Sequence, residues 1–365
     1  MSSKTIRRAV AILGERLNLK KKALLLPVQS LVMARHLLPL ADIAGELGVR
    51  TFFTAAPNLT KNQAELALVK SLFADKATYM GLLHAHLYRW NLVVLADHAC
   101  FHTIAWNGSP LAHVGHGNPS KSTKRFPAIP WEYSNVPRLP DGNIVYREMI
   151  ESAEGVRAAI AELDPALGNK IRVLGRLLDD KALEARAAAQ RVPQTGKPML
   201  LMVSTLGPDS AFALYWDAIA CMGAELLSHY KVVICPHPNE YDGWHEKAIS
   251  CGLEIIPRGI STEEFLAEAS AVVSDFSSVC QKAALMGIPL VFFRQDSAPV
   301  WPHGATARLY RLAPKWQPGE CLKTLIERSS RSGNDIQAVS REWVNSRPGS
   351  AATAYALWLK PYFDS

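Results

Sequence analysis

The sequence predicts an α/β protein made of two parallel-sheet domains. Three observations lead there. Short apolar runs alternate with stretches of helical period, the pattern of parallel strands covered by helices on both faces. The alternation falls into two blocks, with a hinge between about residues 150 and 175. The chain's 365 residues are long for one core and comfortable for two, and 48% of them are apolar. Two Rossmann-like domains facing a cleft are therefore expected, with boundaries at 1–160 and 161–340.

In the first block "KALLLPV" (22–28) reads as a strand and 30–47 has helical period. "VRTFFTAA" (49–56) is strand-like, "NQAELALVKSLFA" (62–74) helical, and "NLVVLAD" (91–97) and "PLAHVGH" (110–116) strand-like again. A loop rich in Pro, Ser and Lys runs from about 117 to 142. The second block opens with "KIRVLG" (170–175) as a strand and "DDKALEARAAAQ" (179–190) as a helix. "PMLLMVST" (198–205), "KVVICPH" (231–237), "LEIIPR" (253–258), "AVVSD" (271–275) and "PLVFF" (289–293) follow as strands, with a helix expected over 210–224 and others between the later strands.

The net charge is +7 and the sequence pI about 9.0. Such a balance suits anionic partners, nucleotide phosphates or a phospholipid surface among them. No nucleic-acid-binding signature is present, so nucleic acid is not an expected partner. The charge is concentrated early: Lys4, Arg7, Arg8, Arg16, Lys20, Lys21 and Lys22 stand against Glu15 alone. Ile6, Val10, Leu13 and Leu17 fall at spacings of three and four, which makes an amphipathic helix with a basic polar side. That helix is suited either to an anionic membrane or to packing on the core. The N-terminus does not read as a secretory signal, since Glu15 and Arg16 break its apolar positions. Six scattered cysteines, with no paired spacing, read as free thiols of a reducing compartment. A cytoplasmic protein is expected, with a peripheral position on the inner face of the cell membrane as an option.

Three runs carry chemistry, and each lies where a parallel strand ends, the place where open α/β sheets bind ligands. "SDFSSV" joins a strand to a helix, and free N–H groups, the helix dipole and the hydroxyls of Ser277 and Ser278 form an anion site there, with Asp275 beside them. N-capping by Ser277 or Asp275 is the plain alternative. "PHPNE" holds His237 between two prolines, followed by Asn239. Such a histidine can hold a phosphoryl oxygen, pass a proton to a leaving group, or simply brace the fold. "HVGHGNPSKS" (113–122) offers His116 as a base for an acceptor hydroxyl, Gly117 for close approach, and Lys121 to neutralise a phosphate. His113, three residues earlier, points to the opposite face of the strand and reads as structural, so a zinc site from His113 and His116 is not expected. His84 and His86 also read as structural.

In their order these runs resemble the CDP-glycerol glycerophosphotransferase family, the teichoic-acid primases and polymerases and related capsule transferases. That family carries His-Gly-Thr-Pro-Leu-Lys in its first half, a His-Pro pair after a strand in its second, and then Asp-Tyr-Ser-Ser. This chain has "HGNPSK" (116–121), "HPNE" (237–240) and "DFSS" (275–278), and "VLGRLLDD" and "MLLMVSTLG" are similar to the lead into the family's donor domain. The likeness covers about residues 110 to 295. It implies a GT-B fold with a C-terminal helix, 341–365, crossing back to the first domain. It implies a nucleotide-diphospho-alcohol donor held mainly by the second domain and a lipid-linked or glycan acceptor. His116 would be the base, His237 a phosphate contact or acid, and Ser277 and Ser278 donor-phosphate ligands, with Arg258 as a further one. The departures are Asn118, Ser120 and Phe276, and Cys280, Gln281 and Lys282 where relatives often carry an acid. They leave the phosphate machinery intact and the donor's alcohol and the acceptor open.

The expected reaction is transfer of an alditol phosphate from a CDP-linked donor to an acceptor hydroxyl, with CMP leaving. No cofactor and no essential metal are expected, as no carboxylate pair has metal-ligand spacing. A GT-B glycosyltransferase using a nucleotide sugar for capsule or lipopolysaccharide assembly is the alternative. A sugar-nucleotide 2-epimerase is disfavoured, because those enzymes usually show Asp-Ser-Gly-Gly at the place of "DFSS". A polymer-binding module that kept the cleft is a non-catalytic alternative.

Overall fold

A computed structural model describes residues 3–102, 108–115, 130–193, 196–257, 260, 262–295 and 300–364. Among the described residues the first sheet has seven strands: β1 (Lys20–Val28), β2 (Thr51–Ala55), β3 (Thr78–Tyr79), β4 (Arg89–Leu95), β5 (Leu111–Val114), β6 (Glu148–Glu151) and β7 (Ile171–Val173). Their order is β3-β2-β1-β4-β5-β6-β7, all parallel. The second sheet has six: β8 (Met199–Val203), β9 (Lys231–Cys235), β10 (Glu254–Ile255), β11 (Ala271–Ser274), β12 (Leu290–Phe293) and β13 (Lys315–Trp316). Their order is β10-β9-β8-β11-β12-β13, again all parallel.

The buried stretches of the central strands are apolar because both sheet faces are covered, as in Ala23–Leu26 of β1 and Met199–Val203 of β8. In β1, Leu24, Leu26 and Val28 join one core, and Ala23 and Leu25 the other. In β8, Leu201 and Val203 face one layer of helices, and Leu200 and Met202 the opposite layer. This is the two-residue period of a strand, with neither face left to water.

The division between the domains differs from the sequence expectation. β7 pairs with β6 through Met149–Ile171 and Glu151–Val173, so it is the last strand of the first sheet. The first domain thus runs to about residue 174 rather than 160. The helix Leu177–Ala189 then leads into the second domain. The helix expected over 210–224 is two helices, Ala211–Cys221 and Gly223–His229, bent by 78°. The bend turns Leu226 back onto the core that holds Phe212.

The chain returns to the first domain at its end, as the GT-B arrangement requires. The helix Gly333–Trp343 brings Trp343 and Val344 into a first-domain core, and the helix Ala351–Phe363 packs Tyr355, Trp358 and Leu359 against Leu24 and Leu92. The crossing is braced by two neighbouring carboxylates. Asp179 accepts from the Asn345 amide at 3.2 Å, and Asp180 accepts from the backbone N–H groups of Gly349 at 2.7 Å and Ala351 at 2.8 Å. Asp180 thereby satisfies donors at the start of the last helix, and its charge complements the helix dipole.

The N-terminal basic segment forms a helix, Ser3–Arg16, but its expected apolar stripe is not what packs. Among the described side chains of this helix Ala11 and Gly14 are the buried positions, and a Cβ at Gly14 would collide with the Leu87 carbonyl. Only glycine allows the helix to lie this close to the helix Leu82–Leu87. Ile6, Ile12, Leu13 and Leu17 are left 40–58% exposed. No single helix among the described residues is long and apolar enough to cross a membrane. All six cysteines are free.

Candidate functional site

The second sheet reverses its order between β8 and β11, and the loops after β8, β9 and β11 meet at this switch point. In a doubly wound sheet that is where a ligand fits. Asp275 organises the junction. It has no solvent exposure, and its Oδ2 accepts from the Thr205 backbone N–H (2.7 Å), the Thr205 hydroxyl (2.9 Å), the Ala211 N–H (3.1 Å) and the Ser204 hydroxyl (3.2 Å). Its Oδ1 accepts from the Ser277 N–H at 3.1 Å. Asp275 is therefore turned inward and saturated. The role expected of it as a donor-phosphate contact is replaced by one of positioning, since a buried carboxylate with five donors has little left for a ligand and would repel a phosphate.

Ser277 and Ser278 lie at the mouth of this junction. The Ser277 hydroxyl accepts from the Val279 N–H at 3.3 Å, a local turn that starts the helix Val279–Leu285. Ser278 is exposed, and its side chain makes no capping bond. The two serines thus differ: Ser277 shapes the turn, while Ser278 presents its hydroxyl outward.

At the end of β9, His237 is half-buried between Pro236 and Pro238, and its Nδ1 accepts from the Asn239 N–H at 3.3 Å. A neutral ring bonded in this way carries its proton on Nε2, as a hydrogen-bond donor. Asn239 is exposed, and its contribution to this geometry is the backbone N–H. Glu240 ties the turn to the β8 loop: Oε1 accepts from the Gly207 N–H at 3.0 Å and Oε2 from the Trp244 indole at 3.4 Å. Gly207 sits at φ +106°, a conformation that favours glycine. The loops after β8, β9 and β11 are thus cross-braced by two carboxylates, Asp275 and Glu240. Sequence reasoning placed neither Ser204, Thr205 nor Glu240 in this frame.

His116, Gly117 and Lys121 lie outside the described residues, as does Arg258. The strand that leads to His116 is described. His113 on β5 is buried, its ring stacked on His98 at 4.1 Å and 5.4 Å from the ring of Tyr146. His98 contacts the Glu132 carbonyl through Nε2 at 2.7 Å and the Tyr146 hydroxyl through Nδ1 at 3.0 Å. His113 is thus built into an aromatic stack. His86 is buried too, with Nδ1 2.6 Å from the Leu82 carbonyl oxygen.

Buried charge gathers between the domains, and no motif pointed to it. Glu151, at the end of β6, receives a hydrogen bond from the Tyr133 hydroxyl, and burial lifts its carboxyl to about 7 against the lowering effects of Tyr133 and Arg176. Lys282, on the helix after Ser278, pairs with Glu263, and burial depresses its ammonium to about 8, with Asp179 opposing. Arg176 stands 3.9 Å from Asp179 on the linker between them.

No protein-family model matches the chain, and no curated protein matches it. Solved structures do. A variant of the wall teichoic acid polymerase TagF, soaked with CDPG, is 12% identical over 99% of this chain and 93% of that chain, with a TM-score of 0.63. UDP-GlcNAc 2-epimerase from Neisseria meningitidis, bound to UDP-GlcNAc, is 13% identical over 92% of this chain and 99% of that one, with a TM-score of 0.59. A glycosyltransferase from Rickettsia africae is 14% identical over 94% and 98%, with a TM-score of 0.52. At these identities the likeness is one of fold: the chain has the GT-B fold of two parallel sheets that these transferases and the epimerase share.

Proposed function

We propose that this protein transfers an alditol phosphate, glycerol phosphate in the first instance, from a CDP-activated donor to an acceptor hydroxyl in cell-surface polymer synthesis. The observation that carries the reading is the Asp275–Ser278 junction. An inward carboxylate holds a turn that presents the exposed Ser278 to a diphosphate, at the switch point of a fold shared end to end with a polymerase solved after soaking in CDPG.

In this reading His116 takes the proton of the acceptor hydroxyl. The acceptor oxygen bonds to the distal phosphorus in line, the bond from that phosphorus to the bridging oxygen breaks, and CMP leaves with the electron pair. Ser278, Ser277, Arg258 and the start of the helix stabilise charge on the diphosphate. Catalysis of phosphoryl transfer rests mostly on such stabilisation and on positioning. His237 donates through Nε2 to a phosphoryl oxygen or to the departing CMP. Gly117, Lys121 and Asn239 contact acceptor or phosphate. Asp275 acts one step back, by holding the loops that carry these groups. A lipid-linked or glycan acceptor fits a peripheral position on the inner face of the cell membrane, with the exposed Ile12, Leu13 and Leu17 beside Arg16 as the contact surface.

A nucleotide-sugar glycosyltransferase is the second reading, favoured by the same fold in the Rickettsia glycosyltransferase and in the epimerase bound to UDP-GlcNAc. Incubation with a panel of CDP-alditols and nucleotide sugars, scored for the nucleotide released, separates the two. CMP from a CDP-alditol supports the first; UMP or UDP from a UDP-sugar, with CDP-alditols inert, supports the second.

A further inference from the structure

The helix Val279–Leu285 begins directly after Ser278, so whatever fixes this helix fixes the turn that carries the two serines. Lys282 stands one helical turn from Ser278 and pairs with Glu263, in the first turn of the helix Thr262–Glu268. That second helix is anchored at both ends. At its start the Thr262 hydroxyl lies 3.5 Å from the Cys235 thiol at the end of β9, two residues before His237. At its far end Arg186, on the linker helix Leu177–Ala189, donates to the carbonyls of Ala267 at 2.8 Å and Ala269 at 2.9 Å. Leu266 and Ala182 of the same two helices belong to one core. The ion pair therefore joins the donor turn to a helix already fastened to β9 and to the linker between the domains.

For stability alone the pair is a poor choice. The Lys282 side chain is 17% exposed and that of Glu263 32%. Burial pushes the Lys282 ammonium down to about 8, with Asp179 of the linker helix opposing and Arg176 adding to the depression. Exposed ion pairs add little, and for buried ones desolvation offsets most of the attraction. An apolar contact would hold the two helices as well. An apolar contact also tolerates sliding, whereas two opposite charges largely out of water fix one register. Glu263 further sets a negative charge close to a turn read as a phosphate site, which attraction of the donor alone would disfavour. A pair kept for register accounts for both features.

We propose that Lys282 and Glu263 are positioning residues of the donor site, and that their ion pair sets where the Ser277–Ser278 turn stands against the linker between the domains. The consequence for donor binding rests on the reading of Ser277 and Ser278 proposed above. The fixing of the turn does not.

The test takes two readouts on the full chain: hydrogen exchange at the Ser277 and Val279 amides, both bonded within the turn, and calorimetric binding of CDP. Glu263→Gln keeps the shape and the Lys282 charge and removes the ion pair. Exchange at the two amides should be faster by about fivefold or more, at a melting temperature close to that of the wild type. The CDP dissociation constant should rise about tenfold, the scale of one hydrogen bond to a charged group. A bare charge effect has the opposite sign, since loss of an acid near a phosphate tightens binding. Lys282→Met should match Glu263→Gln, while Lys282→Arg keeps a cation and should stay within about twofold of the wild type in both readouts. Should Lys282→Met not fold, Glu263→Gln carries the test alone. Unchanged exchange at the turn in folded Glu263→Gln overturns the proposal, whatever its affinity for CDP. Faster exchange with CDP bound no more weakly than by the wild type, or with no CDP bound by the wild type, leaves the positioning of the turn standing and removes its serines from the donor site.

Discussion

Asp275 and Thr205 are separated by 70 residues and are joined twice: the Thr205 backbone N–H reaches Asp275 Oδ2 at 2.7 Å and the Thr205 hydroxyl reaches it at 2.9 Å. This pair fastens the end of β8 to the end of β11 at the switch point of the second sheet, and Ser277 is hung from the other oxygen of the same carboxylate. Asp275→Asn puts an amide among donors that need an acceptor. We expect it to cost about 2–3 kcal/mol in urea unfolding, the scale of buried donors left unpaired, and to weaken nucleotide-diphosphate binding in the fraction that remains folded. Unchanged stability would show that the junction is held by other contacts.

Ser277 and Ser278 should separate by their readouts. Ser277→Ala loses the turn with Val279 and is expected to cost about 0.5–1 kcal/mol of stability. Ser278→Ala should leave the melting temperature unchanged and weaken the CDP-linked donor about tenfold by calorimetry, the scale of one hydrogen bond to a charged group. A Ser278→Ala variant with wild-type donor affinity removes that hydroxyl from the site.

How much of this was legible in the sequence depends on where the determining contacts lie. β1 and β8 were plain because both faces of a central parallel strand are buried, so the run itself is apolar. β3 and β13 span two residues each and leave no such trace. β6 carries Glu148 and Glu151 at its ends, one reaching the C-terminal helix through Trp358 and Tyr362 and the other receiving the Tyr133 hydroxyl, and it was missed for that reason. β7 was assigned to the wrong domain because a short strand followed by a helix looks alike in either one. The "DFSS" run was visible, but whether Asp275 caps, binds or braces is decided by Ser204 and Thr205, 71 and 70 residues away. For His116, Gly117, Lys121 and Arg258 the sequence remains the whole basis of the assignment.

The Glu151 carboxyl sets a pH dependence of stability. Its folded pKa of about 7 lies above its ordinary value of 4.5, so the folded chain binds more protons than the unfolded chain between those values. Stability should therefore fall as pH rises from 4.5 to about 7 and level off above, by at most about 3 kcal/mol. In Glu151→Gln this component should vanish, seen as a smaller loss in urea midpoint between pH 5 and pH 8. The same loss in both proteins would assign the dependence to other groups.

Membrane contact should be peripheral and sensitive to salt. Ile12, Leu13 and Leu17 are exposed beside Arg16 and close in sequence to Lys20 and Lys22. Each base near an anionic surface contributes about 1 kcal/mol, and the effect falls off within a Debye length. Leu13→Ser with Leu17→Ser should lower co-sedimentation with phosphatidylglycerol-containing vesicles without unfolding the protein, and high salt should lower it in the wild type. Equal sedimentation of both forms would leave this helix a solvated cover of the core.

In the proposed reaction His116 activates an acceptor hydroxyl against a CDP-linked donor bound across the cleft. The most direct measurement is acceptor-dependent release of CMP from CDP-glycerol by the wild type and by His116→Ala, with donor affinity measured in parallel by calorimetry. Release by the wild type is expected, with a loss of about a hundredfold or more in His116→Ala, the scale of general-base removal, and an unchanged donor dissociation constant. Release that survives in His116→Ala, or a variant that loses rate and donor binding together, would contradict that role of His116.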